Sequence, residues 1–305
     1  MATHSRSAPK PQQTQMQSEP KPPFPEQHLE GTGLESELDP VPQWKAPRYR
    51  AADKLQGKKA LITGGDSGIG RSVAYLYARE GADVAITYLP AEKSDAEETC
   101  GAIEALGRRC VMIEGDLTSA DFCREVIQTT VRELGGLDIL VSNAARQNRT
   151  STITELDDEE LDKTIKTNVY AYLRLSREAV PHMPPGSSII ATGSEVGLEG
   201  SARLPDYAAT KGAIQSITKT LAQDLLDRSI RVNCVAPGPV WTPLNPADHG
   251  VTAEEVSTFG QKLGSSPMKR PAQPEELSPA YVFLASDADA SYITGAILPV
   301  TGKPE

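Results

Sequence analysis

Tyr207 and Lys211 stand four residues apart in Tyr-Ala-Ala-Thr-Lys, and Ser194 lies thirteen residues before the tyrosine. On a helix that spacing places both side chains on one face, one turn apart. A phenol can give or take a proton, and a neighbouring ammonium draws its pKa down. A serine hydroxyl can hold a carbonyl oxygen. Upstream, residues 63–70 read Thr-Gly-Gly-Asp-Ser-Gly-Ile-Gly, directly after the apolar run Ala60-Leu61-Ile62. Gly64 permits a tight turn, Gly68 lets backbone approach a pyrophosphate, and Gly70 lets a helix pack close to a sheet. Asp66, Ser67 and Ile69 complete that loop, and the helix N-terminus that follows would face the phosphates. Together these groups specify hydride exchange between a nicotinamide and a carbonyl or alcohol.

Such groups need strands to end and helices to begin at the right places. From Gly57 onward, short apolar runs at 59–63, 83–88, 110–114, 138–142, 187–192, 230–235 and 296–300 alternate with helical patterns near 68–80, 92–106, 119–135, 157–183 and 206–228. This alternation predicts an α/β fold: one Rossmann-type, doubly wound parallel sheet of about seven strands with helices on both faces. Asp157 and Glu160 have capping-box spacing, so the acidic run 157–160 is a first helical turn rather than a metal site.

Residues 1–55 differ. They hold nine of the 24 prolines, their charges cancel, and they show no apolar periodicity. The sequence divides into this Pro-rich extension and a catalytic domain at 56–305. The extension is either a disordered tail or an arm that clasps a neighbouring subunit, and Phe24, Trp44 and Tyr49 favour docking.

Composition excludes several classes. The net charge of −10 and the lack of a basic cluster argue against nucleic acid. No run approaches the length of a membrane span, and no apolar leader is present, so the cytoplasm is expected. Cys100, Cys110, Cys123 and Cys234 have no zinc-ligand spacing, so no metal is expected and four reduced thiols are the simplest reading.

Residues 57–305 resemble the classical short-chain dehydrogenase/reductase family. The carrying motifs are Thr-Gly-x3-Gly-x-Gly at 63–70, Ser194, Tyr207-x3-Lys211, Asn168 in Thr-Asn-Val, Asp116 before Leu117, and Pro237-Gly238. The resemblance implies catalytic roles for Asn168, Ser194, Tyr207 and Lys211, with Asn168 relaying protons through water to the lysine. It implies adenine contact at Asp116 and Leu117, a strand-tying role for Asn143 beside Ala144, and nicotinamide contacts from Pro237, Gly238, Val240 and Thr242. Ala145 replaces the family's glycine. The extension, Tyr-Leu-Pro at 88–90 and Pro-Met-Lys-Arg at 267–270 are similar to a bacterial branch of glucose dehydrogenases and N-terminally extended aldehyde reductases.

Other assignments rest on position. Tyr88, followed by Leu89, occupies the place at the end of the second strand where an NAD site carries Asp or Glu, so a 2′-phosphate meets no repelling charge there, and Lys93 is within reach of it. NADP(H) is therefore favoured, with NAD(H) allowed. Arg146, Gln147, Glu195, Leu204, Pro239 and Trp241 are substrate-pocket candidates, Trp241 being equally a core or lid anchor. Helix breakers make 240–265 a mobile lid. The substrate is then an aldehyde, ketone or sugar, or its alcohol. The resemblance implies a homotetramer. A silent NADP(H)-binding sensor on the same fold is the competing reading, disfavoured because both Tyr207 and Lys211 are kept.

Overall fold

The computed structural model describes residues 14–261 and 266–304. The first thirteen residues of the extension, residues 262–265 of the 240–265 segment and Glu305 lie outside them. Seven parallel strands form one sheet: β1 (Lys59–Thr63), β2 (Asp83–Tyr88), β3 (Cys110–Glu114), β4 (Ile139–Ser142), β5 (Ser188–Thr192), β6 (Arg231–Pro237) and β7 (Ile297–Val300), in the order β3-β2-β1-β4-β5-β6-β7. The direction of winding reverses between β1 and β4. That switch point opens a crevice at the strand C-termini, where open α/β sheets bind ligands.

The major helices are α1 (Gly68–Arg79), α2 (Lys93–Glu104), α3 (Ala120–Leu134), α4 (Asp158–Ile165), α5 (Ala171–Ala179), α6 (Pro205–Asp224) and α7 (Pro274–Ala285). Alternation along the strands sends residues to two separate cores. Ala60 and Ile62 of β1 join Val73, Leu76 and Tyr77 of α1 and Leu277 and Tyr281 of α7. Leu61 between them faces the other way, with Val126 and Ile127 of α3, Tyr172 and Leu175 of α5 and Ile214 of α6.

The pattern at 157–183 is helical without a break, with a π turn at Lys166–Tyr170 between α4 and α5. Three sequence expectations need correction. Asp157 does cap α4, accepting from the N–H groups of Glu159 and Glu160, but the Glu160 carboxylate goes to Arg146 instead of back to the cap. Helix α7 was not expected at all: it starts at Pro274 and contains Pro279, which masks its apolar face. Finally, Cys100 of α2 and Cys110 of β3 are joined by a disulfide, with Cα atoms 5.2 Å apart, so only Cys123 and Cys234 are free thiols. The two halves of that pair fall ten residues apart with no motif around them, which is why the sequence offered no sign of it.

The described part of the extension lies along the chain's own core. Phe24, Leu29 and Leu38 are buried with Trp241 and Val256. Trp44 stacks edge-on against Tyr75 at 5.1 Å, and its carbonyl accepts from the Ser72 hydroxyl. The Glu80 carboxylate accepts from the Tyr49 hydroxyl and from the N–H groups of Ala52 and Lys54. Among the described residues, no helix is long and apolar enough to cross a membrane.

Candidate active site

A cleft of about 780 Å³ runs along the strand C-termini. At its centre, burial pushes the Tyr207 phenol up to about 12, while a hydrogen bond with Ser194 and the charge of Arg149 pull the other way. Lys211 sits one turn on. Its Nζ lies 5.3 Å from the Tyr207 ring centroid and donates to the Thr192 carbonyl at 2.8 Å. Burial lowers Lys211 to about 8. In the protein alone, burial is the largest influence on the phenol, and the Lys211 ammonium donates to the end of β5. Both side chains line the same cleft, as the four-residue spacing required.

Ser194 is held from below. Its carbonyl accepts from Gln215 Nε2 at 2.8 Å, and its hydroxyl accepts weakly from the Val196 N–H at 3.3 Å. Asn168 occupies the π turn, a device found often at functional sites. Its Oδ1 accepts from the Arg146 N–H at 2.8 Å, and its Nδ2 donates to the Arg146 carbonyl and the Thr210 hydroxyl. Asn168 therefore sits beneath the cleft rather than in its lining, and fixes the loop after β4.

The glycine loop has the shape that the residue types demand. Gly64 and Gly68 have φ of +60° and +53°. A Cβ on Gly68 would lie 2.9 Å from Thr242, and one on Gly70 would lie 1.8 Å from the Gly64 carbonyl oxygen. Gly70 is consequently a packing residue outside the lining, whereas Asp66, Ser67, Gly68 and Ile69 face the cleft. Asn143 ties three strands: its Nδ2 donates to the carbonyls of Thr63 and Gly64, and its Oδ1 accepts from Thr192. Ala144 and Ala145 line the cleft beside it, and Pro237, Gly238, Val240 and Thr242 form the opposite wall. This cradle, with its backbone approach at Gly68 and a helix N-terminus at its floor, fits a dinucleotide.

At the end of the cleft beside β2 and β3, Tyr88, Leu89, Asp116 and Leu117, the residues assigned to the adenosine, are in the lining. Burial, and after it the neighbouring Glu114 carboxylate, raise the pKa of the Tyr88 hydroxyl. Asp66 of the glycine loop also lines this end, together with Glu92, a carboxyl group that the sequence reading passed over, and burial raises both. A carboxyl held toward its neutral form can donate to a phosphate oxygen as well as accept from a ribose hydroxyl. Replacing Tyr88 with Asp adds a fixed charge here. Tyr88→Asp is expected to shift the ratio of kcat/KM values at least about tenfold toward NAD(H), by repulsion of a 2′-phosphate. Steady-state kinetics with both cofactors measure it, and an unmoved ratio would place Tyr88 away from the ribose.

At the substrate end, Arg146, Gln147, Glu195, Leu204 and Pro239 line the cleft, but Trp241 does not. Trp241 is fully buried against Phe24 at 4.4 Å and donates from Nε1 to the Pro40 carbonyl, so it anchors the extension and is no pocket residue. Arg146 is engaged by Glu160. The sequence reading missed Arg149, which lines the cleft and pairs with buried Asp248 at 2.7 Å. Asp248 also accepts from the N–H groups of Arg149 and Gly250 and, with Asn245, from Gln147. Ninety-nine residues separate Arg149 and Asp248, and no local pattern joins them. Glu195 pairs with Lys303 at 3.0 Å, and burial raises its pKa.

The chain has clear likenesses. A family model described as enoyl-(acyl carrier protein) reductase matches residues 64–302. General stress protein 39 of Bacillus subtilis is 50% identical over 270 residues, covering 88% of this chain and 92% of that protein. Glucose and ribitol dehydrogenase of Daucus carota is 46% identical over 285 residues, covering 92% and 96%. The chloroplastic NADPH-dependent aldehyde reductase 1 of Arabidopsis thaliana is 44% identical over 275 residues, covering 88% and 94%. Among solved structures, a short chain dehydrogenase from Burkholderia cenocepacia in complex with NADP superposes with a TM-score of 0.75 at 34% identity, covering 82% of this chain and 98% of that one.

Proposed function

Because the chain belongs to the short-chain dehydrogenase/reductase family, with that family's model matching residues 64–302, we propose that it interconverts small aldehydes or aldose sugars and their alcohols. It is an NAD(P)-dependent oxidoreductase acting on alcohol and carbonyl groups, and NADP(H) is the favoured cofactor. The observation that carries the assignment is the convergence of Ser194, Tyr207 and Lys211 on one cleft, with Lys211 Nζ 5.3 Å from the Tyr207 ring centroid.

The nicotinamide, when bound, supplies or accepts the hydride. The residues do the rest. Ser194 holds the carbonyl oxygen. Tyr207 gives that oxygen its proton in reduction and removes it in oxidation. Lys211 holds the ribose beside the tyrosine and carries the positive charge that the phenol needs. Asn168 keeps the floor of the site in register through Arg146 and Thr210, and a water-borne proton path to Lys211 passes from this side. Glu195, Gln147 and Arg149 put a carboxylate, an amide and a guanidinium around the substrate end, which suits a hydroxylated substrate. The names of the carrot and Arabidopsis relatives agree with that chemistry.

Cofactor consumption across a panel of aldehydes, ketones and sugars tests the substrate class. Hydroxylated aldehydes should turn over fastest with NADPH, and polyols should reduce NADP⁺. Turnover confined to apolar ketones would contradict the reading. The state of Lys211 sets a pH dependence. Its ammonium is present below about 8 and lost above it, so kcat/KM for reduction should fall as pH rises through that value. A profile flat up to lysine's ordinary 10.5 would remove the charge of Lys211 from the mechanism.

Assembly and compartment belong to the same proposal. Tyr170 and Leu173 are exposed on the π turn and α5, while Ala171, Tyr172 and Leu175 fill the core. That surplus apolar surface supports a homotetramer closed through this face. Light scattering should give about four times 32.7 kDa, and a monomer at micromolar concentration would contradict it. The cytoplasm, where soluble nicotinamide pools are held, suits this chemistry.

A further inference from the structure

The family model starts at residue 64 and leaves the extension without a role. Residues 31–35 nevertheless reach the cofactor cleft. Gly31 and Thr32 line it. Thr32 shares that lining with Glu92 and works against the rise in its pKa, and Glu92 Oε2 accepts from the Leu89 N–H at 2.8 Å. Gly33 turns the chain with φ of +74°, and a Cβ there would lie 2.7 Å from Leu29 and 3.2 Å from Ala247.

Glu35 then enters the interior with no exposed surface. Its Oε2 accepts from the Gly68 N–H at 2.5 Å, and its own N–H donates to Asp95 Oδ2 at 2.6 Å. Its Oε1 lies 3.1 Å from Arg71 Nη1. Ser67, at the N-cap of α1, makes no side-chain cap. The cap of the phosphate-facing helix thus comes from 33 residues upstream. A carboxylate suits a helix N-terminus, and Arg71 offsets its charge. Arg71 in turn meets Asp95 at 3.4 Å and Glu98 at 2.9 Å, and donates from Nε to the Asp66 carbonyl at 2.6 Å. Buried ion clusters add little stability over apolar packing of the same volume. What this one provides is a fixed position for the glycine loop.

The same strap reaches the opposite rim. The Leu29 N–H donates to the Pro246 carbonyl at 3.0 Å, and the Phe24 N–H to the Ser257 carbonyl at 2.8 Å. The extension therefore spans from the glycine loop to the 240–261 segment, which forms the far wall.

We propose that residues 31–35 are a working wall of the cofactor site, with Glu35 and Thr32 as cofactor-positioning residues. Glu35 sets the pose of the glycine loop, and Thr32 stands with Glu92 at the adenosine end. This rests on the NAD(P) reading above. The test is titration of the full-length protein with NADPH, followed by calorimetry, alongside thermal melts and steady-state kinetics. Thr32→Ala, at an exposed residue, should weaken NADPH binding about three- to tenfold, the loss of one polar contact. Glu35→Ala should weaken it at least about tenfold. Glu35→Gln keeps an acceptor for Gly68 and should recover affinity to within about threefold. The losses should fall on the cofactor KM rather than on kcat, which a general loss of folding would not produce. If Glu35→Ala fails to fold, Thr32→Ala decides alone. Either variant, folded and binding NADPH within twofold of the unaltered chain, overturns the proposal. An unaltered chain that binds neither NADPH nor NADH removes the underlying reading, and the proposal with it.

Discussion

Tyr207→Phe should lower kcat about 10²- to 10⁴-fold, the usual worth of a positioned general acid or base. NADPH affinity should stay within about twofold. The substitution removes one hydroxyl and keeps the ring, so the contact between that ring and Lys211 Nζ at 5.3 Å survives. Tyr207 is buried on α6, and phenylalanine fits the same space. The phenol of the protein alone sits near 12, so Tyr207 is protonated at working pH and ready to donate. Stopped-flow reduction of an aldehyde, paired with NADPH titration, separates the two steps. Turnover within a few-fold of the unaltered enzyme would remove Tyr207 as the proton donor. A collapse of NADPH affinity would make it a binding residue instead.

Gly70→Ala should have the largest effect on cofactor binding. The added Cβ would lie 1.8 Å from the Gly64 carbonyl oxygen and 2.7 Å from Asn143 Nδ2. Both neighbours are fixed, because Asn143 Nδ2 also donates to the Thr63 and Gly64 carbonyls. Helix α1 must move away from β1, and the loop that faces the phosphates moves with it. We expect NADPH affinity to fall at least about a hundredfold, comparable to ~3 kcal/mol of misplaced binding. Gly101→Ala is the matched control. Gly101 lies inside α2 with nothing within 4 Å of an added Cβ. There, alanine should leave binding alone and add about 0.5–1 kcal/mol of stability through helix propensity. Equal affinities for Gly70→Ala and Gly101→Ala would mean that the loop does not hold the dinucleotide.

The strands were legible because each is a short apolar run bounded by turn residues, and β1, β2 and β3 begin and end where the pattern places them. The glycine loop was legible for the same reason, being local. Tyr207, Lys211 and Ser194 could be grouped because one helix and one strand end carry them. What stayed hidden was non-local or disguised. Helix α7 carries Pro279 in its interior and reads as a breaker. The π turn at Lys166–Tyr170 has no sequence signal distinct from a helix. Arg149 with Asp248, Glu195 with Lys303, and Glu35 with Gly68 join segments that only the folded sheet brings together. Trp241 could be read from the sequence as a pocket residue or equally as a core or lid anchor, and Phe24 and Pro40 of the extension, 201 or more residues away, make it an anchor. Glu92 was closer to view: its carboxylate accepts from the Leu89 N–H three residues back, a pairing that a capping pattern could have suggested.

The central claim is hydride transfer between a nicotinamide and a carbonyl carbon, with the proton supplied by Tyr207. The most direct measurement uses NADPH deuterated at the transferring position of the nicotinamide, incubated with enzyme and a hydroxylated aldehyde, with the product alcohol analysed by mass spectrometry. The account predicts one deuterium on the former carbonyl carbon for each NADPH consumed, and almost none with Tyr207→Phe. An alcohol without deuterium, or bound NADPH that is never consumed by any carbonyl compound, would contradict it.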